Sequence, residues 1–242
     1  MEEYLEMVSY LRTGADPSAY QEWMAQFLEP LGGQYDAYGN YIVTEGEPNG
    51  ILFSAHTDTV SKTTSDIRID SVHVMRANSR WMVKTDGSRP LGADDTNGVW
   101  ILREMIRHHY PATYIFHRDE EMGGLGSHYI AQNHQDWLSQ FQVAIAIDRK
   151  GYQDVITHMV GTRTCSDTFA MSLANHLGMQ LCTKGGITDT YNYVGLIPNC
   201  TNLSCGYFRA HTNHEYADFT FCQELLNKLL QLEPKLLQCS AK

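Results

Sequence analysis

Three short apolar runs constrain the fold of this chain, because each has the length of a buried strand and leads within a few residues to histidine or acidic side chains. The runs and the polar residues that follow them are 51–55 with His56, 113–116 with Glu120-Glu121, and 143–147 with Asp148. Helical patterns lie between the runs, and strands that alternate with helices favour parallel pairing. We therefore expect an α/β fold in which residues 1–242 form a single three-layer αβα domain around a mostly parallel, mixed central sheet.

The remaining patterns place further elements around this sheet. The first thirty residues predict two helices, with Asp16 as the N-cap and Pro17 as the first residue of the second helix. Residues 35–44 predict a hairpin, and alternating apolar residues over 66–84 predict a second, antiparallel hairpin to one side of the sheet. Apolar residues from Phe219 onward predict a final amphipathic helix that packs on the sheet edge.

Charge and hydropathy exclude several classes of function. The net charge is −10 and no cluster of lysine or arginine occurs, which argues against nucleic-acid and anionic-membrane partners. The acidic start at Met1-Glu2-Glu3 lacks an apolar signal core, and no apolar run approaches a membrane span. We therefore expect a cytoplasmic protein. Its six cysteines show no CxxC spacing, so reduced structural thiols are expected rather than a disulfide framework.

The polar residues after the three runs should converge. Ligands of open α/β sheets bind in the crevice at the carboxyl ends of the strands, where His56, Glu120-Glu121 and Asp148 are expected. Asp94 opens the helical pattern that leads into the second run. The order of helix and strand does not by itself place Asp94 at the same edge.

The glycine-flanked stretch Leu91–Gly98 contains two adjacent carboxylates, Asp94 and Asp95. Taken alone, this stretch favours helix capping by Asp95 or Thr96, because the N-terminus of a helix stabilises negative charge. The other polar residues alter that interpretation, since together they have the composition of a metal site.

The chemistry of the set suits two divalent cations. Histidine nitrogens and carboxylate oxygens are the usual ligands of catalytic zinc. His56, Asp94, Glu121, Asp148 and His211 suffice for two ions if one carboxylate bridges them. Paired metals can activate a water molecule and stabilise a tetrahedral oxyanion, so the set predicts a hydrolytic site. Asp58 shares a face with His56 in extended backbone and is expected to orient its imidazole.

Four segments of the sequence resemble the superfamily of co-catalytic zinc exopeptidases, which includes aminopeptidases, carboxypeptidase-G-like and peptidase-T-like enzymes, and aminoacylases. The similarity extends from residue 36 to about residue 218, and its segments are 54–60 (SAHTDTV), 93–98 (ADDTNG), 119–127 (DEEMGGLGS) and 209–215 (RAHTNHE). This resemblance implies two metal ions, zinc or in its place cobalt or manganese, and a cis peptide between Asp94 and Asp95.

The resemblance also implies a role for each site residue. Asp94 is expected to bridge the metals, and Glu120 to act as the general base toward the bridging water. The other ligands are expected to be His56 and Asp148 on one metal and Glu121 and His211 on the other, with Asp58 behind them.

The sequence departs from some branches of the superfamily. The stretch between Asp148 and His211 is too short for the inserted dimerisation domain that donates an oxyanion histidine there. A tyrosine, Tyr191 or Tyr193, is a candidate donor instead. His214 competes with His211 for the ligand role, and the spacing to Glu215 favours His211. Asp189 is expected to be structural.

We therefore expect a metal-dependent exopeptidase, with aminopeptidase the leading activity and a peptide or N-acyl amino acid as the substrate. The protein is expected to be a monomer or a small homo-oligomer. The alternatives are a deacylase or desuccinylase with the same site, a non-catalytic zinc-binding relative, and a one-zinc transferase similar to glutaminyl cyclase.

Overall fold

The computed structural model of the protein describes residues 1–13, 17–60 and 72–237. The helices in these ranges are α1 (Glu2–Val8), α2 (Pro17–Phe27), α3 (Ala93–Arg107), α4 (Leu125–Asn133), α5 (Gln135–Leu138), α6 (Asp167–Leu177) and α7 (Phe219–Leu230), and 3-10 turns lie at Glu29–Leu31, Asp189–Tyr193 and Pro234–Leu236. The strands are β1 (Gln34–Tyr35), β2 (Tyr41–Glu45), β3 (Ile51–His56), β4 (Val72–Ala77), β5 (Arg80–Thr85), β6 (Ala112–His117), β7 (Val143–Arg149), β8 (Asp154–Ile156), β9 (His158–Met159), β10 (Thr162–Arg163), β11 (Gln180–Cys182), β12 (Asn199–Ser204), β13 (Tyr207–Phe208) and β14 (Tyr216–Asp218).

Eight of these described strands form the large sheet, in the order β1-β2-β6-β3-β7-β12-β8-β11. Its centre is parallel, because β6, β3, β7 and β12 run in one direction. β2 pairs with β6 and β8 pairs with β12 in the antiparallel sense, so the sheet is mixed toward its edges. The mostly parallel, mixed sheet predicted from the sequence is therefore present, with the three apolar runs side by side as β6, β3 and β7.

Two hydrophobic clusters lie against the large sheet, because successive strand residues point to opposite faces. Phe53 and Ile145 pack with α3 and α7 in the larger cluster. Leu52 and Ala144, each one position earlier, pack with α4 and the 189–193 turn in the smaller one. Helices thus cover both faces, which gives the predicted three-layer arrangement.

A second, four-stranded antiparallel sheet has the order β13-β14-β5-β4. Its β4–β5 hairpin confirms the described part of the hairpin predicted over 66–84, whereas Ile67 and Ile69 lie outside the described residues. Helix α7 packs against α3 and β5 rather than on an edge of the large sheet. The reason is that its apolar stripe, which includes Leu225 and Leu229, belongs to the same cluster as α3.

The second helix, the first hairpin and the state of the cysteines were also predicted from the sequence. Pro17 begins α2, as expected, and its proposed cap Asp16 lies outside the described residues. The β1–β2 hairpin is antiparallel, as predicted. The cysteines in the described part of the chain are free thiols. In the described ranges, no helix is both long enough and apolar enough to cross a membrane.

Candidate active site

The carboxyl ends of three neighbouring strands deliver polar side chains to one cavity. His56 is the last residue of β3, Asp148 is the penultimate residue of β7, and Glu120 and Glu121 lie in the turn that follows β6. The cavity has a volume of about 410 Å³, and its walls include Asp94, Glu120, Glu121, Asp148 and His211. His56 lies beneath this wall, only 1% exposed. The structure therefore brings the predicted site residues to the expected edge of the sheet.

Asp94 lies between the two imidazoles. Its Oδ1 is 3.1 Å from His56 Nε2, and its Oδ2 is 3.3 Å from His211 Nε2. Asp148 Oδ1 is 3.6 Å from His56 Nε2, and Glu121 Oε1 is 2.6 Å from His211 Nε2. A carboxylate that directs one oxygen to each of two imidazoles has the geometry needed to bridge two cations.

The turn that carries Asp94 is held by a buried glutamate. Glu215 Oε1 accepts the N–H of Asp94 at 3.0 Å, and its Oε2 accepts the N–H groups of Leu91 and Gly92, each at 2.9 Å. The peptide between Asp94 and Asp95 is cis, as the resemblance implied. Sequence reasoning gave Glu215 no role, although its place four residues after His211 in the last motif was a usable signal.

Asp95 is turned away from the cavity. Its Oδ1 accepts the N–H of Gly98 at 3.0 Å, and its Oδ2 accepts the N–H of His56 at 3.2 Å. An oxygen of Asp95 lies within 4.8 Å of ligand atoms of His56 and Asp148. Both of its oxygens nevertheless accept backbone N–H groups, so helix capping is the better description of Asp95.

Asp58 supports the site differently from the expectation. The nearest acceptor for His56 Nδ1 is the main-chain oxygen of Asp58 at 3.0 Å, whereas the carboxylate Oδ1 is 3.5 Å away. The Asp58 carboxylate instead accepts the N–H groups of Glu120 and Glu121, both at 3.0 Å. Asp58 thus fixes the turn that carries the two glutamates, while its carbonyl orients the imidazole.

The cavity concentrates negative charge. Burial, together with the nearby carboxylates of Asp148, Asp189 and Glu121, raises the pKa of Glu120 to about 9, although His56 lowers it. Burial and Asp94 raise the pKa of Asp148 to about 6.

The pKa values of the two imidazoles are also raised, because the nearby carboxylates stabilise the protonated rings. Burial would lower the pKa of His56, but hydrogen bonds with Asp148, Asp58 and Asp94 raise it well above its ordinary value. Hydrogen bonds with Asp94 and Glu121 raise the pKa of His211 to about 10. Protons and metal ions compete for the same imidazole nitrogens and carboxylate oxygens.

The donor set fits divalent cations. In the described part of the chain, ligand atoms of His56, Asp94 and Glu121 lie within 4.8 Å of one another. Nitrogen and carboxylate donors at this spacing are those that zinc binds. Cations at this place would also offset the repulsion among the carboxylates.

His211 and His214 have different environments. His211 has a left-handed backbone with φ of 62° and directs Nε2 toward Glu121 and Asp94. His214 is exposed and lines a separate depression beside Tyr216 and Met75. The structure therefore brings His211, and not His214, to the cluster.

The two tyrosines proposed as oxyanion donors are not at the cavity. Tyr193 is fully buried, and its hydroxyl lies 2.6 Å from His117 Nε2. The other nitrogen of His117 pairs with Asp189 at 3.2 Å, consistent with the structural role expected for Asp189. Tyr207 lines the cavity instead, and its hydroxyl donates to the main-chain oxygen of Asp148 at 3.2 Å. No sequence motif marked Tyr207.

Comparisons with known proteins agree with this geometry. The sequence model of peptidase family M28 matches residues 40–186. Aminopeptidase PepT from Bacillus cereus superposes with a TM-score of 0.76 at 14% identity, with 98% of each chain covered. A tripeptidase from Staphylococcus aureus gives 0.74 at 15% identity, with 97% of each chain covered. The TET1 peptidase of Pyrococcus horikoshii gives 0.70 at 15% identity, covering 95% of this chain and 98% of the other. These similarities confirm the predicted fold, and a search among curated proteins found no match.

Proposed function

Because the chain belongs to peptidase family M28, within the co-catalytic zinc exopeptidases, we propose that it is an aminopeptidase that uses two divalent metal ions. Membership confirms the metal-dependent peptide hydrolase that the motifs predicted. The proposal adds the exopeptidase specificity, the number of ions and the roles of the residues. It also treats residues 1–242 as one catalytic domain without an inserted lid.

The position of Asp94 between His56 and His211 is the observation that carries the proposal. In this proposal, Asp94 is a ligand that the two ions share. His56 and Asp148 hold the first ion, and Glu121 and His211 hold the second. When bound, such ions polarise the scissile carbonyl and lower the pKa of a water molecule. Zinc is the expected metal because of the mixed nitrogen and oxygen donors.

Glu120 is proposed as the general base and acid. It lines the cavity beside the ligand Glu121, and Asp58 fixes its backbone. Bound cations would offset the raised pKa of Glu120, and its carboxylate would then take a proton from the attacking water and return it to the leaving amine.

The preference for an aminopeptidase rests on similarity, because an aminopeptidase from Bacillus cereus and a tripeptidase from Staphylococcus aureus share this fold. Bound ions would neutralise the ligand carboxylates of Asp94, Glu121 and Asp148, so these groups would not be free to pair with a substrate ammonium. In the proposal, the first carbonyl of the peptide lies next to the metal ligands, and the terminal ammonium lies beside it. Tyr207 lines the cavity, and we propose that its hydroxyl turns from the main-chain oxygen of Asp148 to donate to that carbonyl.

Metal analysis and a substrate panel test the proposal. We expect about two zinc ions per chain, removable by a chelator, and hydrolysis of aminoacyl and short peptide substrates. Glu120→Gln should retain the metal and lose turnover by about 10²–10⁴-fold, the usual contribution of a general acid–base group.

Glu47→Gln, at an exposed surface position, is the control and should be unchanged. Turnover near the wild-type rate in Glu120→Gln would remove Glu120 from the mechanism. Hydrolysis of N-acyl amino acids alone would replace the aminopeptidase with a deacylase. The oligomeric state, a monomer or a small homo-oligomer, stays a prediction.

A further inference from the structure

The cavity of the acidic cluster also has a basic side. Arg149 and Lys150 follow the ligand Asp148 directly and line the same cavity. They share this wall with the apolar side chains of Ile156 and Ile187. The wall of one cavity of about 410 Å³ therefore carries both the acidic cluster and two cations.

Arg149 and Lys150 differ in whether their charged groups pair with other residues of the protein. The guanidinium of Arg149 forms an ion pair with Asp154, with Nε 3.1 Å from Oδ2, and also donates to the main-chain oxygen of Lys184 at 3.1 Å. Lys150 is exposed, and within the described ranges no carboxylate forms an ion pair with its ammonium. Lys150 is therefore the cation at the cavity whose charge the fold itself does not use.

The backbone around Lys150 is held firmly. Cys205 N–H donates to the oxygen of Arg149 at 2.8 Å, and Ser204 Oγ donates to the oxygen of Lys150 at 3.0 Å. Gly151 N–H donates to the oxygen of Tyr207 at 3.0 Å. These bonds fix the Cα of Lys150 relative to Asp148, so its ammonium can reach only a limited region at the cavity mouth.

We propose that Lys150 binds a substrate carboxylate on the leaving-group side of the scissile bond, which makes short peptides with a free C-terminal carboxylate the preferred substrates. This inference rests on the proposed function, because it needs the scissile bond to lie at the metal ligands. Lys150 attracts a carboxylate and repels the terminal ammonium, so it favours the orientation in which the C-terminal side of the peptide faces this residue. The cavity volume is near the lower end of the range for small ligands, about 300–1,000 Å³, which suits a substrate of a few residues.

The carboxylate has two possible sources, the C-terminus of a dipeptide or tripeptide and an acidic side chain next to the scissile bond. Both would pair with the same ammonium. Exposed ion pairs are weak, so the expected preference is about three- to tenfold in kcat/KM and is carried by KM. Added salt should reduce it, because ions screen exposed charges.

Three peptides with the same N-terminal residue test the inference: Leu-Gly-Gly, its C-terminal amide, and Leu-Glu-amide. With the zinc-loaded wild type, Leu-Gly-Gly should exceed its amide in kcat/KM by about three- to tenfold. In Lys150→Gln this ratio should fall toward one. Lys184→Gln, which removes a nearby exposed ammonium outside the cavity wall, should keep the wild-type ratio.

The results distinguish the two sources of the carboxylate. They also distinguish failure of this inference from failure of the proposed function. Preference for Leu-Glu-amide over Leu-Gly-Gly, lost in Lys150→Gln, would assign the carboxylate to the side chain and overturn the free C-terminus. A ratio near one in the wild type, or one that Lys150→Gln leaves unchanged, would overturn the inference. Calorimetric binding of the same peptides to zinc-loaded Glu120→Gln measures the preference without turnover. If no peptide is hydrolysed, the proposed function fails, while the ratio of affinities still decides the role of Lys150.

Discussion

Glu215 Oε1 accepts the backbone N–H of Asp94 at 3.0 Å, so a buried carboxylate positions the residue that lies between the two imidazoles. Its second oxygen accepts the N–H groups of Leu91 and Gly92. Glu215 is 2% exposed, so these three bonds are shielded from water. Support behind a ligand affects the metal itself, because it decides how far the ligand oxygens can move.

Glu215→Gln should weaken metal binding without removing a ligand. Glutamine has one acceptor oxygen, and its NH₂ group would face an N–H group, leaving at least one buried donor unsatisfied at a cost of about 1–3 kcal/mol. We expect zinc affinity to fall by about 10–100-fold, measured by competition with a chromophoric chelator. Glu224→Gln, at a residue paired with Arg80 at the surface, is the control. Wild-type affinity in Glu215→Gln would show that the turn holds Asp94 unaided.

His211→Ala and His214→Ala form a matched pair. Since Nε2 of His211 contacts both Glu121 and Asp94, its loss should lower the zinc content to about one ion per chain and abolish most turnover. His214 is exposed, and its loss should leave zinc content within error of the wild type. Metal analysis by mass spectrometry after dialysis gives both numbers. The reverse result would transfer the ligand role to His214.

Gly98→Ala should displace α3 from the sheet. A Cβ at this position would collide with the carbonyl oxygen of Ile147 and lie 2.6 Å from the carboxylate of Asp95. Overpacking of this kind costs about 1–3 kcal/mol, and the shift would reach Asp148, the residue after Ile147. We expect lower unfolding free energy in urea and weaker zinc binding together. Gly186→Ala, where the added Cβ meets no atom within 4 Å, should leave the unfolding free energy unchanged. Unchanged stability in Gly98→Ala would mean that the helix and β7 separate without cost.

Glu3 links α1 to α3 and should contribute stability that depends on pH. Its hydrogen bonds with Arg103 and Arg107 lower its pKa from 4.5 to about 2. A carboxylate with a lowered pKa in the folded state stabilises the fold above pH 4.5 and loses that effect as the pH falls toward 2. Because the side chain is 41% exposed, solvent screening limits the effect to less than about 1 kcal/mol.

Glu3→Gln should therefore be slightly less stable than the wild type at pH 7, and the difference should shrink below pH 4.5. Urea unfolding at several pH values checks this dependence. Glu2→Gln, at an exposed position on the same helix, should show no such trend. A difference that is constant with pH would mean that packing, and not charge, explains the effect of Glu3.

The sequence was sufficient for the large sheet and for most of the cluster. Residues 51–55, 113–116 and 143–147 are mostly apolar, which is the pattern of strands buried on both faces, and they became β3, β6 and β7. Since parallel strands end at one edge, the residues after them had to meet. His56, Glu120, Glu121 and Asp148 followed from this rule, and motif spacing added Asp94 and His211.

The supporting contacts could not be predicted, because they join residues that are distant in the chain. Glu215 reaches Asp94 across 121 positions, and Asp58 reaches Glu120 across 62. Tyr207 lies at the cavity because β13 pairs with β14 in the second sheet.

By itself, then, the sequence determined which residues could bind metal and at which edge of the sheet they meet. These depend on strand pattern and local spacing, both of which are written in consecutive residues. Only the tertiary structure decided that Asp94 faces both imidazoles while Asp95 caps the helix, and that Lys150 has no carboxylate partner among the described residues. Those features depend on the directions of individual side chains, which packing between distant segments fixes.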